Sequence, residues 1–252
     1  MKRVELERAF VLHRRHYRET SLIVEILGRD SGRLGLIAKG AQRPKSDMRG
    51  LLQAFRPLLL SWSGRGELGV LVNAEPDGYA DRLAGNALFS GLYMNELLMR
   101  LLHRFDPHPE LFDHYARAIE ALAARARAEN VLRVFEKRML ESIGYGLVLD
   151  RDVDSGDPVR AGGAYRYQID RGPTADDAPG ADGVPVTGET LLALAREQLD
   201  DEAALEQAKR LMRTVLRRYL GDKPLATRSL FRPGSPAHAE RRRRATRGVE
   251  PR

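Results

Sequence analysis

Lys39, Arg43, Lys45 and Arg49 set four cations in residues 39–49, where Asp47 is the sole carboxylate. Ammonium and guanidinium groups at that density bind polyanions by charge and counterion release, chemistry that needs no nucleophile, base or metal. Arg14, Arg15, Arg18, Arg33 and Arg65 extend the set through the N-terminal third of the chain. Tyr17 lies in a polar stretch and is the candidate to stack on a base, whereas Phe10 and Phe55 flank apolar runs and read as core. With so few rings, phosphate contacts are expected to dominate, giving weak sequence preference and steep salt dependence.

Other chemistries find no constellation. Cysteine is absent, which removes disulfides, thiolate nucleophiles and zinc held by sulfur. The six histidines include no HExxH pair, and no P-loop, GxSxG elbow or dinucleotide fingerprint occurs. Asp150, Asp152, Asp154 and Asp157 resemble a calcium loop, but Ser155 stands at the sixth position where the turn needs glycine. Ala161 then replaces the bidentate glutamate of the twelfth. No enzyme activity, metal or cofactor is expected. The charge is uneven: net +5 over residues 1–80, −4 over 81–227 and +6 over 228–252. That division suits a polyanion partner at the ends and a near-neutral body between them. Met1–Arg8 lacks a secretory apolar segment and no run of eighteen apolar residues occurs, so a cytoplasmic, nucleoid-associated protein without membrane contact is expected.

The basic segment must be held by what precedes and follows it. Phe10–Leu12, Leu22–Leu27 and Leu34–Ala38 read as strands, with a glycine-rich reversal at 28–32, and two more are expected at Pro57–Trp62 and Glu67–Val72. Five short strands with glycine turns predict a closed barrel, of which the OB-fold is the natural choice at this size. From Asn86 the period becomes helical, with a helix apolar on nearly every side, then helices from Pro109 and over 129–143. Residues 150–186 form a separate lobe held by Tyr165, Tyr167, Ile169, Val184 and Val186. Helices over 188–199, capped by Thr187, and 202–220, capped by Asp200 or Asp201 and stopped by Gly221, complete the set. The last of these carries Lys209, Arg210, Arg213, Arg217 and Arg218 on one side. The expected class is α+β: an OB-fold domain over 1–80, a mainly helical domain over 81–231 with a small β lobe, and a disordered basic tail over 232–252 containing Arg241–Arg244.

The run Ala9–Arg14, followed by Glu19–Leu22, Gly32-Arg33, Ala38–Ala41, Phe55–Leu60 and Gly64–Glu67, closely resembles the bacterial RecO family of recombination mediators. Phe89–Leu98, Tyr219–Leu225 and Ser229–Phe231 extend the likeness over nearly the whole chain. The resemblance implies a mediator of the RecF pathway that binds single- and double-stranded DNA, anneals complementary strands and helps RecA load onto DNA coated by single-strand binding protein. RecR and single-strand binding protein would be direct partners and RecA an indirect one. Arg14, Arg33, Lys39 and Arg65 match the family pattern, while Arg18, Arg43, Lys45 and Arg49 continue the basic surface. Leu132–Glu136 resembles the helix that receives the acidic tail of single-strand binding protein, which makes Arg133 the candidate for that tail's carboxylates. Many such chains carry paired cysteines in the lobe; this one has none, so a degenerate, metal-free lobe is expected. The competing expectation is a scaffold whose barrel docks a protein and whose cations only solubilise it.

Overall fold

The computed structural model describes residues 2–64, 66–78, 81–176 and 182–231. Five strands, β1 (Lys2–Tyr17), β2 (Ser21–Gly28), β3 (Gly32–Ala38), β4 (Pro57–Gly64) and β5 (Leu68–Pro76), close in the order β1-β2-β3-β5-β4. Every pairing is antiparallel except β3 with β5, which run parallel over Gly35–Ile37 and Leu68–Val70. This is the expected OB-fold barrel, and closure leaves its sheet no open edge. The strand expected at Phe10–Leu12 is far longer: β1 spans the barrel, aided by a bulge between Val4 and Glu7 where Leu6 takes a positive φ.

Ala9–Leu12 of β1 are apolar in succession because this part of the strand is buried on both sides. Ala9 and Val11 join Val24, Ile26, Leu34, Leu36, Leu58 and Leu60 inside the barrel. Phe10 and Leu12 point the other way, into the helical core. The period-two alternation of a strand thus serves two cores at once. Phe10 and Phe55 are core residues as expected, but of the helical body rather than the barrel.

That body contains α2 (Asn86–Leu101), α3 (Pro109–Ala123), α4 (Ala128–Ser142), α5 (Gly188–Arg196) and α6 (Glu202–Leu220). Met94, Leu97 and Leu98 of α2 are fully buried, and the helix touches β1, α3, α4 and α6. Thr187 and Asp201 cap α5 and α6 by accepting from the amides of Thr190 and Ala204. A terminal 3-10 turn, Ala226–Phe231, lies on α2, where Glu96 accepts from the amides of Ala226 and Thr227. The tail expected to be disordered, 232–252, lies outside the described residues. Among the described residues no helix is long and apolar enough to cross a membrane.

Barrel and helices meet along a seam of rings and ion pairs. Phe10 lies 5.4 Å from Phe112 and 5.1 Å from Tyr115, centroid to centroid. Asn95 donates to the Leu12 carbonyl at 2.8 Å and accepts from the Tyr115 hydroxyl at 2.6 Å. Arg29 pairs with Asp113, and Arg104 pairs with the buried Glu25 while also donating to the Glu67 carbonyl. At the β2–β3 turn Gly32 has φ +69°, and a Cβ built there would lie 2.2 Å from the Asp106 carbonyl oxygen. Gly32→Ala should therefore strain the turn and pry the seam open, lowering stability by about 2–4 kcal/mol in denaturant titration.

The lobe is a three-stranded sheet of β6 (Ala164–Gln168), β7 (Gly172–Ala175) and β8 (Val184–Thr187), ordered β7-β6-β8. Tyr165, Tyr167, Val184 and Val186 are its buried residues, and Ile169 is half-buried in the turn. Its entry loop is organised by Asp152, whose carboxylate accepts from the amides of Asp154 at 2.8 Å, Ser155 at 3.0 Å and Ala175 at 2.6 Å. The Ser155 bond foremost, with those of Asp154 and Ala175, holds the Asp152 carboxyl below its ordinary range despite burial. Because the folded pKa is depressed, its contribution is present above the unfolded value of 3.8 and is lost as pH falls through the lower folded value. Asp152→Asn should lower the protection of the Ser155 and Ala175 amides about tenfold at neutral pH, read as hydrogen exchange relative to the intrinsic rate, and acid should lower the same protection factors in the unmodified chain although exchange itself slows.

Candidate nucleic-acid interface

The far end of the barrel from the β2–β3 turn is built by the β1–β2 turn and the segment between β3 and β4. That segment is tied down by backbone and side chain. The Gln42 amide donates to the Thr20 carbonyl at 2.9 Å, and the Gln42 side chain donates to the Ser21 carbonyl at 3.1 Å and meets His16 Nδ1 at 2.6 Å. Ala41 and Leu52 are fully buried and anchor the two ends of the segment in the barrel core. Between them the backbone turns at Gly40–Arg43 and Arg43–Ser46 and then forms the short helix α1 (Met48–Leu51). Arg14 of β1 reaches across to the end of α1 and donates to the Leu52 carbonyl at 3.2 Å and the Arg49 carbonyl at 3.5 Å. A guanidinium there satisfies carbonyls that a helix end leaves open.

These ties bring most of the sequence-derived set together. Arg14, Arg18, Lys39, Arg43, Lys45 and Arg49 are all exposed, as is Arg15. Among the described residues none of the seven forms an ion pair. Tyr17, Arg18, Glu19, Lys39 and Arg43 share one open groove of about 500 Å³. The Arg18 guanidinium lies over the Tyr17 ring, 5.3 Å from its centroid. Cations that no carboxylate of the chain engages create a positive field that draws phosphate.

Arg33 does not join them. It faces the seam, donates to the Met99 carbonyl and leaves its Nε buried without a partner. Desolvation pulls its pKa down, with Arg104 adding to the effect and Glu25 opposing it. Its position on β3 explains this: Arg33 lies beside the β2–β3 turn that packs on Phe105 and Asp106. Arg65 lies outside the described residues.

Arg133 is also an interior residue, 7% exposed, and no free surface cation. It donates to Glu136 at 2.5 Å, and Tyr93 donates to the same Glu136 oxygen at 2.6 Å. Burial works against its charge, and Glu136 more than restores it. The helix periodicity that marked Leu132 and Phe135 as inward left Arg133 ambiguous, and only packing against α2 and α6 resolves its side. Arg213 of α6, by contrast, is exposed, forms no ion pair among the described residues and acts on Tyr93 electrostatically. In the same stripe Lys209 pairs with Glu129 and Glu206, and Arg218 with Asp170. Glu129, Glu202 and Glu206 lie near one another, but Lys209 and Arg127 neutralise them, so they suit no ion.

Comparison with known proteins identifies the family. The family model for the N-terminal part of recombination protein O matches residues 1–79, and that for its C-terminal part matches residues 82–229. The chain is 48% identical over 234 residues to the DNA repair protein RecO of Azoarcus sp. (strain BH72), covering 91% of this chain and 96% of that one. It is 47% identical over 232 residues to the DNA repair protein RecO of Nitrosospira multiformis, covering 92% and 96%. That of Alkalilimnicola ehrlichii is 49% identical over 232 residues, covering 91% and 92%. With both halves matched and relatives aligned along nearly their full length, the chain belongs to the RecO family of DNA repair and recombination proteins.

Proposed function

We propose that the chain is a recombination mediator of the RecF pathway that binds single- and double-stranded DNA through the basic end of its barrel. The observation that carries this reading is the set of exposed cations from Arg14 to Arg49 that form no ion pair among the described residues, of which Arg18, Lys39 and Arg43 line one groove. Phosphates of either strand form would be held by the same charges, with little dependence on sequence. Annealing follows from the same physics: neutralising two backbones on one surface reduces the repulsion that opposes pairing. No bond is made or broken by the protein in such a role. Its place of action would be the bacterial nucleoid, with RecR as the companion and RecA as the downstream beneficiary.

The acidic tail of single-strand binding protein would dock on the face shared by α2, α4 and α6. Arg133 acts there by holding Glu136, which also accepts from Tyr93, and Arg213 offers the exposed charge that meets a carboxylate.

Replacing Lys39, Arg43 and Lys45 together by alanine should weaken oligonucleotide binding at least tenfold at low salt and flatten the salt slope, read by fluorescence anisotropy. Unchanged affinity would instead support the scaffold reading, in which the barrel docks a protein. Arg213→Glu should weaken a peptide of the acidic tail several-fold and leave DNA affinity near its original value, measured by titration calorimetry. Arg133→Met should act on folding, costing about 3–5 kcal/mol because Glu136 is left buried without its partner.

A further inference from the structure

The groove at the barrel's basic end contains a group that phosphate binding does not explain. Glu19 lines it beside Arg18, Lys39 and Arg43, is exposed, and forms no ion pair among the described residues. A carboxylate in that position repels a passing phosphate, so on charge alone it weakens the surface. It becomes favourable where it accepts a hydrogen bond. Along a DNA chain the donors available to it are on the bases, since phosphate and deoxyribose offer none within the strand.

The Tyr17 ring supplies the second element. It lines the same groove, half-buried, with the Arg18 guanidinium stacked over it. Arg18 is held there by a backbone at φ +53°, a region that residues other than glycine seldom occupy. The guanidinium backed by the ring is a flat group of the kind on which unstacked bases lie. A duplex hides its base faces within the stack and cannot use that platform. The groove's volume of about 500 Å³ falls within the range of about 300–1,000 Å³ typical of small-molecule sites.

We propose that this groove is a subsite for one unpaired nucleotide: Lys39 and Arg43 take its phosphate, the Tyr17–Arg18 platform takes its base, and Glu19 accepts from the base's donor edge. The subsite rests on the reading of the barrel end as a DNA surface and adds a discriminating element to it. Glu19 favours cytosine, whose amine is a donor, over thymine, whose single imino donor sits between two carbonyl oxygens that repel a carboxylate. Duplex DNA meets only the surrounding cations. The barrel end therefore tells single strands from double strands by one base rather than by charge.

The test uses the full chain and labelled 20-mers of dC, of dT, an abasic backbone of the same length and a duplex, at one salt concentration. The unmodified chain should bind the dC strand about tenfold tighter than the abasic one and several-fold tighter than dT. Tyr17→Leu should reduce dC to the abasic level with duplex affinity unchanged, and Tyr17→Phe should restore it, which separates stacking from a folding defect. Glu19→Gln should equalise dC and dT while raising affinity for the abasic strand. Equal binding of dC and abasic strands by the unmodified chain would overturn the proposal, as would a Tyr17→Leu loss shared equally by duplex. If the Lys39, Arg43 and Lys45 variant is weak while these comparisons show no difference, the subsite fails and the DNA surface stands. If that variant also binds normally, the surface itself fails.

Discussion

The structure depends on β1 being shared by two hydrophobic cores. Ala9 and Val11 close the barrel from inside, and Phe10 and Leu12 enter the helical body from outside. Asn95 then reads the backbone of β1 directly, bonding the Leu12 carbonyl. Sliding the barrel on the helices would expose the Phe10 ring and orphan both Asn95 and Tyr115 in an apolar setting, which is costly. The two parts are thus fixed relative to one another by side-chain packing rather than by a linker. One end of the barrel is given up to this contact. The other, where the β1–β2 turn and the basic segment lie, is left open.

Desolvation separates the arginines of the seam and the helical interior from those of the basic segment. Arg29, Arg104 and Arg133 are partly or wholly buried and each has a carboxylate of the chain within reach. Arg33 is tucked against a carbonyl with one nitrogen unsatisfied. A buried guanidinium without such partners would be unfavourable, so those positions carry their counter-groups with them. Arg18, Arg43 and Arg49 have no such partner and remain in water, where a lone charge costs little and stays available. Composition alone cannot separate these groups, because both contribute equally to the formal charge.

Much of this was legible in the residues. Period-two and period-3.6 patterns located the barrel strands and the helices, and the caps Thr187 and Asp201 behaved as their side-chain chemistry dictates. The full length of β1 was not legible, because its stretches Glu5–Arg8 and His13–Tyr17 are mostly polar and resemble loops until their partners β2 and β4 are known. For the surface, the cations of residues 39–49 could be read directly, since a polar segment after a strand has nowhere to go but solvent. Arg33 and Arg133 could not, for each sits in an element whose partner comes from far along the chain: Arg33 beside Phe105, Arg133 against Tyr93 through Glu136. Glu19 gave no signal of its own; its isolation among cations is visible only once the β1–β2 turn and the basic segment share a groove.

The lobe closed by Asp152 has a chemical consequence. Its entry loop is gathered by one carboxylate and three backbone amides, and the chain contains no thiol. Peroxide has no sulfur of a cysteine to attack in it. Genotoxic stress that also oxidises the cell would leave this part of a repair protein intact while clusters built on thiolates are dismantled.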